Sequence, residues 1–364
     1  MSEYYDRPRS HFLLYLLLFL LTFAGVFGFM AYKYYNRSLG AMQEKSEAVI
    51  FKVDSDATVR DVTAKLESEG LIADSRTAYI YARLNHLTDL YAGEYFLDKS
   101  WDVDKILKYL GDPLSANQDV VMVTIVEGDW AKHIAEKISA VTNVSYDDLI
   151  ALWSNRSWIE SQKEKYPFLT DEMFQNGVRI FLEGYLAPDT YQFMKTTTAE
   201  EITTRILDQT LKIYNQFQPQ FAASELSTHQ IYTLASIVQY EGGGTSMDDM
   251  KTIAGVFYNR MHTDMHLQSS VTVCYAIDYD RNVNDWQDCE VNVEVESPYN
   301  TYRYKGLPPG PICNPGAEAI DAVLYPQATD SLYFVSKGNG THYFSSTFEQ
   351  HVKNKIVSKK NQKK

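Results

Sequence analysis

Residues 12–32, FLLYLLLFLLTFAGVFGFMAY, run without a charge. A helix of that length, rising about 1.5 Å per residue, matches the roughly 30 Å hydrocarbon core of a bilayer. This stretch predicts one transmembrane helix, which commits the rest of the chain to one side of a membrane. The rival reading is a cleaved signal peptide, but the run is long for such a segment and no small-x-small cleavage site follows it. Arg7 and Arg9 on one flank balance Lys33 and Arg37 on the other, so basic residues do not orient the helix. The short N-terminal side does: 1–11 reads as a cytoplasmic tail, 12–32 as the span, and 33–48 as a polar linker below an extracytoplasmic C-terminal part.

That part is long enough for two folded domains. A formal net charge of -13 excludes a general nucleic-acid binder, which needs a surplus of Lys and Arg against phosphate. Cys274, Cys289 and Cys313 are too few for a disulfide scaffold and lack zinc-ligand spacing, so no metal and no cofactor is expected. Outside the membrane, Cys274 and Cys289 can pair across the acidic loop between them, leaving Cys313 free.

Along the chain, 49–72 reads as an alternating strand, a turn in which Asp56 and Thr58 suit capping, and an amphipathic helix ending at Gly70. A second helix is predicted over 75–84, then a strand at AGEYFLD. Next comes a helix capped by Ser100, with Val103, Ile106, Leu107 and Leu110 on one face. Residues 119–141 repeat the strand, turn and helix order. The region 147–217 reads as mostly helical, interrupted at FLEGYLAPDTYQF. There Pro188 forbids a continuous helix, and Asp189 with Thr190 suits a tight turn. SLYFVSK and HYFSS suggest a hairpin. The Lys-rich tail, 353–364, reads as a solvated disordered end. Helices and strands segregated in this way give an α+β class.

The segment STHQIYTLASIVQYEG, 227–242, reads as a helix capped by Ser227 or Thr228 and ended by glycines. At about 100° per residue, Ile231, Leu234, Ile237 and Val238 share a face, and Glu241 falls in line with Leu234. Gln239 and Tyr240 point elsewhere. Apolar neighbours and the negative helix end both disfavour an ionised carboxyl there, which would raise its pKa. A carboxylic acid kept protonated can donate to a glycosidic oxygen. The plainer alternative is a helix-end Glu whose charge reaches solvent.

Taken in order, LEGYLAPDTYQF, LASIVQYEGG, IAGVFYNRM, LQSSVTVCYA, SPYNTY, GLPPGPICNPG and YFVSKGNGTHYFS resemble the endolytic murein transglycosylases, the MltG or YceG-like family. The resemblance covers about 49–351. It implies an N-terminal anchor, a LysM-like α/β module at 49–115, and a larger α+β catalytic domain at 116–352 that cuts peptidoglycan glycan strands. Many relatives carry Glu where this chain has Gln239, and Asp and Pro where it has Ser270 and Val271. The helical wheel matches the family's acid to Glu241, because residue 239 lies off the apolar face.

The implied chemistry uses one carboxyl twice, as acid toward the bond between N-acetylmuramic acid (MurNAc) and N-acetylglucosamine (GlcNAc), then as base closing a 1,6-anhydro ring. A hydrolytic muramidase would usually need a second carboxylate. Glu183 and Asp189 are the candidates, although both suit structural roles in a turn. Gln268, Ser297, Tyr299, Asn300 and Asn314 are candidate substrate-binding residues, and Tyr299 and Tyr302 can stack on sugar rings or simply pack. His342 and His351 read as structural. The implied partners are glycan strands, the membrane, penicillin-binding synthases and elongation or division proteins. A hydrolytic muramidase and a non-catalytic glycan-binding scaffold remain as alternatives.

Overall fold

The structure, a computed structural model, describes residues 12–113, 115, 120–279 and 286–361. The expected cytoplasmic tail and part of the acidic stretch lie outside these residues. The chain divides into two compact units between Val120 and Val121.

The first unit begins with helix α1 (Phe12–Leu39), which contains the predicted span. Among the described residues no helix is long and apolar enough to cross a membrane. The side chains at 12–19, 21 and 24 fall outside the described ones. Next come β1 (Ala48–Val53), α2 (Val59–Ser68), α3 (Ser75–Leu84), β2 (Gly93–Asp98) and α4 (Val103–Leu110). The strands pair antiparallel from Ala48 opposite Asp98 to Val53 opposite Gly93. Thr58 caps α2 in a reciprocal box with Asp61, satisfying backbone N–H groups that the first turn leaves unpaired. Val103, Ile106, Leu107 and Leu110 are all buried in one core with Phe51, Leu66 and Tyr95. The cap of α4 is Asp102, not Ser100: its carboxylate accepts from Lys105 N at 2.8 Å.

The division falls at the first residue of β3 (Val120–Ile125), and the second unit continues with α5 (Ala131–Ser139), α6 (Tyr146–Trp153) and α7 (Arg156–Gln162). Strand β4 (Asp189–Met194) pairs with β3. Asp189 and Thr190 therefore start a strand, not the tight turn expected of them; Thr190 Oγ1 meets Thr124 Oγ1 at 3.0 Å across the pair. The long helix α8 (Ala199–Ala223) leads to α9 (Thr228–Gly242), which packs against α10 (Met247–His262) and α13 (Ala317–Leu324). Helices α11 (Ser270–Ala276) and α12 (Trp286–Val291) are joined by the disulfide Cys274–Cys289, and Cys313 is free and buried. The hairpin forms as expected from β5 (Tyr333–Ser336) and β6 (His342–Ser345).

The Lys-rich end departs from expectation. Residues through Asn361 form α14 (Phe348–Asn361), packed on the hairpin. Ser358 Oγ donates to Ser336 O at 2.6 Å, and Lys353 pairs with Glu349 one turn earlier. Residues 362–364 lie outside the described residues.

Candidate active site

Ser227 begins α9, its hydroxyl accepting from Gln230 N while Gln230 Oε1 accepts from Ser227 N. Ile231, Leu234, Ile237 and Val238 are fully buried. The exit from the helix explains the glycines. A Cβ on Gly243 would lie 2.4 Å from Gln239 O, and Gly244 has φ +79°, so the chain can leave this helix end tightly only without side chains there. Glu241 sits in that last turn, half-buried.

Burial pushes the Glu241 carboxyl above the usual range. Three weaker influences oppose it: a hydrogen bond from Ser269, then the charges of His342 and Arg260. Ser269 Oγ donates to Glu241 Oε1 at 2.6 Å. Arg260 is buried and directs its donors to backbone, Nε to Leu332 O at 2.6 Å and Nη1 to Leu267 O at 2.5 Å. Among the described residues Glu241 therefore forms no ion pair with Arg or Lys. Its burial and the absence of a salt bridge favour a protonated carboxyl, as a general acid requires.

Ser269 is held by its own neighbours. Its N–H donates to Thr301 Oγ1 at 3.1 Å, Gln268 N donates to Thr301 O at 3.2 Å, and the Thr272 and Thr301 hydroxyls meet at 2.9 Å. The turn before α11 and the SPYNTY segment thus fix the hydroxyl that donates to Glu241. On the other side, His342 of β6 contacts Asp249 of α10, Nδ1 to Oδ2 at 3.0 Å. Among the described residues no group of His, Cys, Asp and Glu is placed to hold a metal ion.

The expected substrate-binding residues separate into two sets. Gln268 is exposed, with φ +47°, beside Ser269. Ser297 is half-buried, its carbonyl accepting from Asn300 N at 2.9 Å. Tyr299, Asn300 and Asn314 are buried. Asn300 Nδ2 donates to Val293 O and Val295 O, and its Oδ1 accepts from Tyr302 N. Asn314 donates to Asp129 O and Glu183 Oε1 and accepts from Leu186 N. Both amides are spent on backbone and buried partners. Tyr299 packs its ring 4.7 Å from Tyr275. Tyr302 is the half-buried aromatic whose phenol is raised by burial and then by the charge of Glu241.

Glu183 is a buried structural acid. It accepts from Ala131 N and Asn314 Nδ2 at 2.9 Å and from the Tyr275 hydroxyl at 3.3 Å, tying the LEGYLAPDT turn to the start of α5 and the Pro-rich loop. Burial outweighs these donors and pushes it up to about 8. Gln239 is occupied too, its Oε1 accepting from Gly316 N at 2.9 Å. Sequence reasoning missed Ser269 and Arg260 and set His342 aside, because each reaches the site from a separate segment and none carries a periodic signal.

The chain has relatives among known proteins. An endolytic murein transglycosylase of Bacillus subtilis (strain 168) is 32% identical over 335 residues, covering 90% of this chain and 91% of that protein. One from Streptococcus pneumoniae serotype 2 is 31% identical over 350 residues, 93% of this chain but 63% of the longer relative. The 2.6 Å crystal structure of a putative YceG-like protein from Listeria monocytogenes superposes with a TM-score of 0.59 at 32% identity, covering 84% of this chain and 98% of that one. The YceG-like family itself matches residues 51–356, which takes in α9, the Ser269 turn and the His342 hairpin together, and the chain belongs to that family.

Proposed function

We propose that this chain is a membrane-anchored endolytic lytic transglycosylase that cleaves the MurNAc–GlcNAc bond within peptidoglycan glycan strands, with Glu241 as acid and then base. The observation that carries the reading is the Glu241 carboxyl, raised by burial, held by one hydroxyl, and free of any ion pair among the described residues.

In the first step the carboxyl proton passes to the oxygen leaving C1 of N-acetylmuramic acid, and the C1–O bond breaks. In the second, that sugar's C6 hydroxyl bonds to C1 and its proton goes to the Glu241 carboxylate, restoring the acid and leaving a 1,6-anhydro end without consuming water. Ser269 stabilises the carboxylate between the two steps through a charge-assisted hydrogen bond. Of the two carboxyls that sequence offered as a second catalytic group for a hydrolytic route, Glu183 is sealed in the core and Asp189 begins strand β4, its Oδ1 accepting from Thr190 N at 2.7 Å, which favours the route with one carboxyl.

Anchoring is supported by α1, where Phe23, Val26, Phe27, Phe29 and Met30 are all at least 60% exposed, an arrangement suited to lipid. The Cys274–Cys289 disulfide suits an extracytoplasmic, oxidising location for the second unit. Two helices between two antiparallel strands in the first unit suit a LysM-like glycan-binding module. Penicillin-binding synthases and elongation or division proteins are the partners such a location implies. The experiment is digestion of purified glycan strands by wild type and Glu241→Gln. Wild type releases fragments whose new ends are one water lighter than hydrolysed ends, and Glu241→Gln releases none; cleavage by the variant at wild-type rate overturns the assignment.

A further inference from the structure

A concavity of about 420 Å³ lies along the opening half of α9 and does not include Glu241. That volume falls within the roughly 300–1,000 Å³ typical of small-ligand sites. Its wall runs from His229, Gln230 and Thr233 on α9 to Met265 and to Lys305 at the start of the Pro-rich loop. At about 1.5 Å per residue along a helix, His229 and Thr233 stand roughly 18 and 12 Å from Glu241 along the axis.

The two places share one pair of segments. Asp264 pairs with Lys305 at the mouth of the concavity, and a few residues on, Gln268 and Ser269 bond to Thr301 beside Glu241. The concavity and the acid are thus joined by shared segments and offset by about 12–18 Å along the α9 axis.

The lining chemistry narrows the ligand. Among the described residues no Phe, Tyr or Trp contributes to the wall, so a flat sugar face finds no ring there to stack on. Charges of both signs do contribute. Lys305 and Asp264 are exposed partners, and Glu172, also exposed, accepts from the Ser227 hydroxyl. An exposed ion pair is worth only about 0–1 kcal/mol, so a ligand carrying its own carboxylate and ammonium can open and replace it. Met265, Leu226 and Leu307 supply patches suited to small aliphatic groups. The floor is rigid: His229 is buried with Nδ1 on the Tyr185 hydroxyl at 2.7 Å and Nε2 on Pro309 O at 2.8 Å, so neither ring nitrogen is free.

We propose that this concavity binds the short peptide carried by the glycan strand, with Lys305 on a peptide carboxylate and Glu172 or Asp264 on an ammonium group, so that the enzyme prefers peptide-bearing to bare strands. The inference rests on the glycan-cleaving reading above.

Two measurements on the full-length chain test it. The first compares kcat/KM on glycan strands with their peptides intact and on the same strands after an amidase has removed them. Intact strands are expected to be favoured by about tenfold, the effect of one charge-assisted contact. In Lys305→Glu the ratio falls toward one, through KM on intact strands and not through kcat. Equal wild-type rates on both substrates overturn the proposal, as does a Lys305→Glu defect of equal size on both. The second is calorimetric binding of a soluble muramyl tetrapeptide to Glu241→Gln, with and without Lys305→Glu. Binding weakened about tenfold or more by Lys305→Glu supports the site, and absent binding or binding indifferent to residue 305 overturns it. This arm reads the concavity even if no strand is cut, in which case the catalytic reading fails separately.

Discussion

Glu241 owes its place to helix periodicity, and periodicity is what sequence displays best. Its alignment with Leu234 on a buried face was legible from the 3.6-residue repeat, and so was the upward push on its carboxyl. The hydroxyl that faces it was not, because Ser269 lies 28 residues further on and reaches Glu241 only through a turn fixed by Thr301. The burial of Asn300 and Asn314 was not legible for a related reason: polar residues in Pro- and Gly-rich segments suggest solvent, whereas these two are buried where backbone groups need internal donors and acceptors. The Ser269 hydrogen bond stabilises the ionised carboxyl, so in Ser269→Ala the Glu241 titration moves to higher pH. The loss of a bond to a charged group, about 1.5 kcal/mol or roughly one pKa unit, sets the size. The check is a pH–rate profile in which the alkaline limb of kcat rises in pH while the maximal rate falls; an unmoved limb contradicts the assigned hydrogen bond.

At the level of elements, local signals decided what formed. The capping box of α2, the glycine exit of α9 and the β5–β6 hairpin followed from residue types at short spacing. Two elements did not. Strand β4 exists because its partner β3 lies some 65 residues earlier, and α14 forms on a Lys-rich segment because the hairpin gives it a surface to pack on. Tertiary contact overrides weak local preference in both. The tight exit of α9 gives a sharp expectation. In Gly243→Ala the added Cβ meets Gln239 O at 2.4 Å, so the turn must shift and carry Glu241 with it. Cleavage is expected to fall by about tenfold or more, the scale on which misplaced catalytic groups act. The far ultraviolet circular dichroism spectrum should stay near wild type, and a variant of full activity would show that the turn does not position the acid.

For the whole molecule, the sequence suggested more than one folded part and the chain divides into two compact units, while the buried polar framework of the second unit was not legible. Glu183 makes that framework sensitive to pH. Its folded pKa, about 8, lies above the ordinary glutamate value, so the folded state binds the proton more tightly than the unfolded chain. Its stabilising contribution is complete below about pH 4 and is lost as pH rises toward about 8, each pKa unit being worth roughly 1.4 kcal/mol. Melting temperatures of the second unit should fall across that window, and Glu183→Gln should flatten the fall. A slope unchanged by the substitution assigns the pH dependence to other groups. The Cys274–Cys289 bridge closes a loop of sequence separation 15, for which chain entropy gives about 3 kcal/mol. Reductant should therefore lower the melting temperature of the second unit, and an unchanged melt would remove the bridge from the stability of this unit.

The proposed reaction rests on one carboxyl, Glu241, which it requires to be neutral before the bond breaks and charged after it. Its protonation is measurable directly, by following the Glu241 side-chain carboxyl through a pH titration with isotope-edited nuclear magnetic resonance, using Glu241→Gln to assign the signal. The account predicts a midpoint above the ordinary glutamate range in wild type and a still higher one in Ser269→Ala. A midpoint at or below that range would mean the carboxyl is ionised before substrate arrives, and would contradict its role as the acid.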